Sequence, residues 1–165
     1  MIFRPELLDR LEDIEPRQFS GVVFRHVLGE SAPLGANTRG ARWNPPDVSA
    51  LYTSLDRDTA IAEGDFILSL QQVRPSVTRW IVQIQVTLQR VMEVDEVTLQ
   101  ELGVSRDVLE ALDHTSCSEI GGAVHWLGLE GLIVPSARWP GQNLVIYIGH
   151  QDPDGVFEVV GRELL

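Results

Sequence analysis

The segment Thr78-Arg-Trp-Ile-Val-Gln-Ile-Gln-Val86 decides the class of fold, because apolar and polar side chains alternate along it. Successive side chains of a strand point to opposite faces of a sheet, whereas a helix repeats about every 3.6 residues. One face of the segment carries Trp80, Val82, Ile84 and Val86, and the other carries Gln83 and Gln85. The pattern therefore predicts a strand, and residues 90–94 continue it.

The sequence on both sides of this strand mixes strand and helix patterns. Runs rich in β-branched residues predict further strands at 21–27, 50–54, 131–135, 144–148 and 156–160. Apolar residues at helical spacing predict helices at 5–14 and 56–70, and Ser/Thr-x-x-Glu boxes predict short helices that begin at Thr98 and Ser116. This mixed order favours a single α+β domain over residues 1–165, with mixed or antiparallel sheets flanked by short helices.

Composition and charge exclude several classes of function. The net charge of −11 argues against direct binding to nucleic acid, whose phosphates are held by clustered cations. All 13 positive side chains are arginines, so a lysine Schiff base and a P-loop lysine are excluded. Residues 17–46 hold four arginines and one acid, Glu30, a local excess that suits a small anionic ligand.

Other features bear on the compartment and on metal binding. A single cysteine, Cys117, excludes an internal disulfide and fits a reducing cytoplasm. The sequence shows no signal-peptide pattern and no apolar run of membrane-spanning length, so we expect a cytoplasmic protein that does not contact the membrane. His114-x-x-Cys117 has no second pair of ligands, so no metal site is predicted.

Glu63 is the most informative single residue. On a helix it shares a face with Ala60, Ile67 and Leu70, and apolar residues on one face are expected to pack inward. A carboxylate on that face is buried and paired, lies at the helix edge, or faces a cleft. Periodicity alone slightly favours a boundary glutamate with its head in solvent.

The segment Arg39-Gly-Ala-Arg-Trp-Asn44 is a second candidate for a site. Two arginines, a glycine and an aromatic plane suit a clamp for an anion and a ring. Alternatively, Trp43 packs the loop and the arginines lie in water. Ser136 follows a predicted strand at a position that often presents a hydroxyl to a ligand, although serines are common there.

Taken in order, several blocks resemble the RES domain family. They are Phe24-Arg-His26, Gly40-Ala-Arg-Trp-Asn-Pro-Pro46, Ala50-Leu-Tyr-Thr-Ser54, Ala60-Ile-Ala-Glu63, Gly131-Leu-Ile-Val-Pro-Ser136 and Asn143-Leu-Val-Ile-Tyr147. This motif core spans about residues 22–148. The chain departs from the family pattern at Asp47, where a glycine is common, and at Ala62 and Gly64, where bulkier aliphatic residues are frequent.

The resemblance implies a fold similar to that of ADP-ribosyltransferases and a toxin that consumes NAD, with no other cofactor. It also implies a helix-turn-helix antitoxin that covers the active site. The implied catalytic residues are Glu63, Arg42 and Tyr52, and the implied substrate-binding residues are Arg25, Trp43, Ser136 and Asn143.

Three alternatives to NAD degradation are open, and the first of them changes only the acceptor. The same residues would serve a transferase that places ADP-ribose on a protein. A non-catalytic nucleotide-binding or partner-binding module has little need for Glu63 beside a pyrophosphate. A nuclease is disfavoured by the net charge and by the lack of a histidine pair or of clustered acids.

Overall fold

The computed structural model describes residues 2–73 and 76–165. The strands are β1 (Arg17–Leu28), β2 (Ala50–Ser54), β3 (Arg79–Glu93), β4 (Gly131–Pro135), β5 (Gln142–Tyr147) and β6 (Phe157–Leu164). The helices are α1 (Pro5–Glu12), α2 (Arg57–Ser69), α3 (Glu96–Glu101), α4 (Arg106–Glu110) and α5 (Thr115–Trp126). The predicted α+β class is confirmed.

The six strands form one mixed sheet in the order β1-β2-β5-β4-β3-β6, and an additional pairing joins β1 to β3. These pairings close β1, β2, β5, β4 and β3 into a circuit. The circuit closes at the long strand β3, which pairs with both β1 and β4. Strand β6 pairs only with residues 80–86 of β3, and β4 pairs with residues 91–93. The β3–β4 pair is parallel and the other pairs are antiparallel.

The two faces of the sheet belong to two apolar clusters. In β5, Leu144 and Ile146 belong to a cluster built entirely from strand residues, as expected when a sheet curves onto itself. Val145 and Tyr147 belong to the other cluster, which also contains residues of α1, α3, α4 and α5. Alternation along β5 therefore supplies side chains to both clusters.

Several predicted boundaries change in the structure. The strands predicted at 78–86 and 90–94 are one continuous strand, β3. The cap of α3 is Asp95, whose carboxylate accepts from the Thr98 amide, so the helix begins before Thr98. Helix α5 begins at Thr115 without a side-chain cap. Helix α4, capped by Ser105, was not predicted, because five residues are too few to show a period.

Candidate active site

A cleft of about 360 Å³ opens beside the point where β1 meets β2. Its walls come from both strands, from helix α2, from the loop before β2 and from the segment that follows α4. The lining residues are Phe24, Arg25, His26, Asn37, Ala41, Arg42, Trp43, Tyr52, Thr53, Ser54, Ala60, Glu63, Gly64, Phe66, Ile67, Leu70, Leu112, His114 and Asn143. Glu63 is the only acidic residue among them.

Helix α2 carries Glu63 into this cleft. Asp56 caps the helix by accepting a hydrogen bond of 2.8 Å from the Thr59 amide. The buried face contains Ala60, Gly64 and Leu68, which are spaced four residues apart. The face that Glu63 shares with Ala60, Ile67 and Leu70 was expected to pack inward. Ala60 is buried, but Ile67 and Leu70 are 54% and 53% exposed and line the cleft, so the expectation was wrong for these two residues.

Two donors hold the Glu63 carboxylate by the same oxygen. The Ser136 hydroxyl donates to Oε1 at 2.6 Å, and Asn143 Nδ2 donates to Oε1 at 2.8 Å. The Ser54 hydroxyl donates to Asn143 Oδ1 at 2.9 Å, which fixes the orientation of the amide. Within the described residues, Oε2 receives no hydrogen bond. Glu63 therefore has a fixed position and one oxygen left for a ligand.

Tyr52 organises the loop that carries Trp43 and Asn44. Its hydroxyl accepts from the Trp43 amide at 2.8 Å and donates to Asn44 Oδ1 at 2.6 Å. Burial raises the pKa of the Tyr52 hydroxyl, so it remains protonated at neutral pH. Trp43 is only 1% exposed and belongs to the core, so this side chain packs the loop, as in the alternative interpretation of the segment.

The arginines of the cleft are held by backbone carbonyls. Arg25 donates to Tyr52 O at 3.0 Å and to Gly35 O at 3.2 Å, and burial lowers its pKa. Arg42 donates to Leu109 O and Ala111 O. In the part of the chain that the structure describes, neither guanidinium forms an ion pair. Both keep a positive charge that a ligand could neutralise.

Helix α4 connects the loop before β2 with the segment that follows β4. Besides accepting from Arg42, its last turn accepts from Arg138 Nη2 through Glu110 O at 2.9 Å. Arg106 at its start donates to Ser136 O at 2.7 Å. Arg138 also donates its amide to the Ser136 hydroxyl at 3.1 Å. The short helix thus positions residues of the site that are distant in sequence.

The His26 ring packs against helix α2 at Gly64. A Cβ atom added to Gly64 would lie 2.3 Å from the His26 ring, so the backbone of the helix rests on the imidazole. Arg79 Nε donates to His26 Nε2 at 3.0 Å, and Asp65 accepts from Arg79 at 2.6 Å. Burial and the charge of Arg79 lower the pKa of His26, which favours the neutral ring. This contact fixes the depth at which Glu63 enters the cleft.

Cys117 is buried beside Arg42, and burial raises the pKa of its thiol to about 11. Such a thiol is protonated at neutral pH and is a poor nucleophile. Within residues 2–73 and 76–165, no three His, Cys, Asp or Glu side chains are grouped so that they could hold a metal ion. No helix of these ranges is long and apolar enough to cross a membrane.

A family model that matches most of the sequence assigns the chain to a family. The family model of the RES domain matches residues 15–163. The chain belongs to the RES domain family. A chain of the crystal structure of the M. tuberculosis MbcT–MbcA toxin–antitoxin complex has the same fold as this RES protein, with a TM-score of 0.82 at 18% sequence identity. The alignment covers 98% of this chain and 93% of that chain. No curated protein sequence matches this RES chain.

In this RES protein, the structure brings together the seven residues that were predicted for the site. Six of them line the cleft: Arg25, Arg42, Trp43, Tyr52, Glu63 and Asn143. Ser136 is fully buried and reaches the site through Glu63. Sequence reasoning missed Arg138, His114 and Phe66. Arg138 lies two positions after Ser136, but no local pattern relates it to Phe66, whose ring centroid is 3.4 Å from its guanidinium carbon.

Proposed function

We propose that this RES protein cleaves the bond between nicotinamide and ribose in NAD. The observation that carries the proposal is a single carboxylate, Glu63, held by Oε1 and free at Oε2, in a cleft with unpaired arginines. A site for glycoside hydrolysis usually needs two carboxylates, because the leaving group must be protonated. Nicotinamide is a cationic leaving group that departs as a neutral molecule, so one carboxylate suffices.

Each predicted side chain has a role that suits this reaction. The bond to nicotinamide breaks with both electrons leaving on the ring nitrogen, and positive charge develops on the ribose. Glu63 stabilises that charge and binds a ribose hydroxyl through Oε2. Arg25 and Arg42 bind the pyrophosphate, since guanidinium groups form paired, charge-assisted hydrogen bonds to phosphoryl oxygens.

The remaining residues position these groups. Tyr52, kept protonated by burial, orients the nicotinamide end of the substrate and fixes the loop that carries Arg42. Ser136 and Asn143 hold Glu63. Trp43 contributes to the wall of the cleft through the small part of it that is not in the core.

We also propose that the protein is a cytoplasmic toxin that an antitoxin of the helix-turn-helix type neutralises. Family membership and the toxin–antitoxin complex of the structural neighbour support a toxin with a protein partner. Ile67, Leu70 and Leu112 line the cleft and are all more than half exposed, which is unfavourable in water. An antitoxin that covers the cleft would bury them.

The proposal is tested by measuring nicotinamide release from NAD with and without inorganic phosphate. Glu63→Gln keeps the size of the side chain and removes its charge, so we expect release to fall roughly 100- to 1000-fold. Asp58→Asn, which neutralises an exposed acid in the first turn of the same helix, is the matched control and should retain activity. Release that depends on phosphate indicates phosphorolysis, and release without it indicates hydrolysis.

The acceptor of ADP-ribose distinguishes this function from transfer to a protein. NAD labelled in the ADP-ribose part leaves its label in small molecules if water or phosphate is the acceptor, and on protein if the enzyme is a transferase. Folded protein that is free of any partner and neither releases nicotinamide nor labels protein would contradict an enzymatic function. A binding module would then account for the cleft.

A further inference from the structure

Three buried side-chain nitrogens of the described residues have no hydrogen-bond partner: Arg25 Nε, His114 Nε2 and Arg138 Nε. All three side chains belong to the cleft or pack on its wall. An unsatisfied buried donor is unfavourable by about 1–3 kcal/mol, so unpaired groups of this kind require an explanation. Two of them, on His114 and Arg138, are on the same side of the cleft as Arg42.

Helix α4 places Arg42 and Arg138 side by side. Arg42 binds the carbonyls of Leu109 and Ala111, and Arg138 binds the carbonyl between them, that of Glu110. The last carbonyls of a helix lack partners within the helix, and these three are satisfied by the two guanidiniums. Two positive charges are therefore held close together although they repel each other.

His114 adds a third group to this pair. It follows α4 and lines the cleft. Burial together with the charges of Arg42 and Arg138 lowers the pKa of His114. Burial and the charge of Arg42 likewise lower the pKa of Arg138. No carboxylate lies within ion-pair distance of Arg42 or Arg138 in the described residues.

These three residues are connected to the proposed catalytic carboxylate. The Arg138 amide donates to the Ser136 hydroxyl, and that hydroxyl donates to Glu63. The Arg138 guanidinium stacks on Phe66, which lies three residues after Glu63 on the same helix and lines the cleft. A ligand bound by Arg138 would therefore be a neighbour of Glu63.

We propose that Arg42, His114 and Arg138 form a subsite for a tetrahedral oxyanion, either inorganic phosphate or a phosphoryl group of the dinucleotide. Such a ligand has several acceptor oxygens and negative charge, and so matches the two guanidiniums, which offer only donors and positive charge, beside an imidazole whose Nε2 can donate. The Nε atoms of Arg138 and His114 are covered, so a ligand reaches them after a small adjustment of these side chains. That the oxyanion belongs to a substrate rests on the proposed function.

The experiment measures binding without turnover. Thermal unfolding is recorded with inorganic phosphate, and with chloride at equal ionic strength as the reference. The midpoint should rise by roughly 3–6 °C when phosphate reaches ten times its dissociation constant. ADP-ribose, which has the pyrophosphate but no nicotinamide bond, is titrated in parallel. Because neither probe reacts, a failure of NAD cleavage does not affect the result.

Variants locate the binding. Arg138→Gln should weaken binding of phosphate, of ADP-ribose, or of both by roughly 10- to 100-fold. Its control is Arg162→Gln, because Arg162 also stacks on an aromatic ring, that of Trp80, but lies on β6 away from the cleft. Leu112→Glu places a carboxylate at an exposed position that lines the cleft, and Leu112→Gln controls for polarity.

The two probes identify the source of the oxyanion. Loss of phosphate binding alone assigns the subsite to the free anion, and loss of ADP-ribose binding assigns it to the pyrophosphate. Leu112→Glu should reproduce these losses without removing a buried group, so the test does not depend on how well Arg138→Gln folds. Wild-type affinity of both Arg138→Gln and Leu112→Glu for both probes would overturn the proposal, as would equal losses in the control variants.

Discussion

The Ser136 hydroxyl donates a hydrogen bond of 2.6 Å to Glu63 Oε1, although the two residues are 73 positions apart in the sequence. Ser136 is completely buried at the end of β4, and Glu63 is half-buried on α2. Together with Asn143 on β5, the hydroxyl leaves the carboxylate only one free oxygen. The sheet therefore determines where the charge of a flexible glutamate lies.

We expect Ser136→Ala to lower the rate of nicotinamide release roughly 10- to 100-fold, because a misplaced catalytic group loses much of its effect. Stability should fall by about 1–3 kcal/mol, because the hydroxyl donates to Glu63 and accepts from the Arg138 amide, and that amide loses its acceptor. Both quantities are measured on the same preparation, by steady-state kinetics and by urea unfolding. A rate equal to that of the wild type would show that the hydroxyl does not position Glu63.

Thr59→Val is the matched control for this prediction. Thr59 is fully buried on the same helix, and its hydroxyl donates to Asp56 Oδ2 at 2.7 Å. The substitution thus removes a hydroxyl–carboxylate hydrogen bond outside the cleft, and should affect stability more than rate. In a Glu63→Gln background, Ser136→Ala should have little further effect on the rate, since residues that act as a unit are not additive.

The strands were largely predictable and the site was predictable only in part. Strands β2 and β4 have the predicted bounds, because short runs of β-branched and apolar residues between turns have few other structures. Helix α4 was not predictable, because five residues are too few to show a period, and its contacts are with residues far away in sequence. Arg42, for example, is 67 positions from Leu109, its partner.

The orientation of α2 shows a second limit of sequence patterns. Ile67 and Leu70 have the spacing of a core face, and a cleft wall that binds an organic ligand has the same apolar character. Periodicity therefore cannot distinguish a core from a cleft. Gly64 carried the missing information, because a helix with glycine on one face can approach another side chain closely, here His26.

The contact between Gly64 and His26 predicts a change of sign. Gly64→Ala in the wild type should destabilise the fold by about 1–3 kcal/mol, because the new methyl group overlaps the imidazole. In a His26→Ala background the same substitution should stabilise the protein by up to about 1 kcal/mol, since alanine favours a helix over glycine. Urea unfolding of the four proteins gives both values. Equal effects in the two backgrounds would contradict the packing described.

Histidines should make the stability depend on pH between about 7 and 5.5. Burial lowers the pKa of His26, His114 and His125 from the ordinary value of 6.5. In this window the unfolded chain binds more protons than the native one, so stability is highest above pH 6.5 and falls as pH decreases toward the lowered pKa values. The midpoint of urea unfolding, measured across this range, gives the slope.

His125→Phe tests the contribution of one of these groups. The His125 ring stacks on His150 at a centroid distance of 4.1 Å, and phenylalanine can keep this stacking without titrating. The absolute stability of the variant is free to change, but its dependence on pH should be weaker than that of the wild type. An unchanged slope would mean that His125 titrates alike in the folded and unfolded chains.

Asp47 tests the conformation of the loop before β2. Its φ angle is +72°, in the left-handed region that favours glycine and that aspartate tolerates better than most other residues. The side chain is exposed, and the amide, which any replacement keeps, donates to Thr38 O at 3.1 Å. Backbone strain therefore decides the outcome. We expect Asp47→Ala to destabilise the protein by about 1 kcal/mol and Asp47→Gly to be neutral or stabilising by a similar amount. Urea unfolding at constant m-value measures the difference, and an alanine variant at least as stable as the glycine variant would show that the residue does not adopt this conformation in solution.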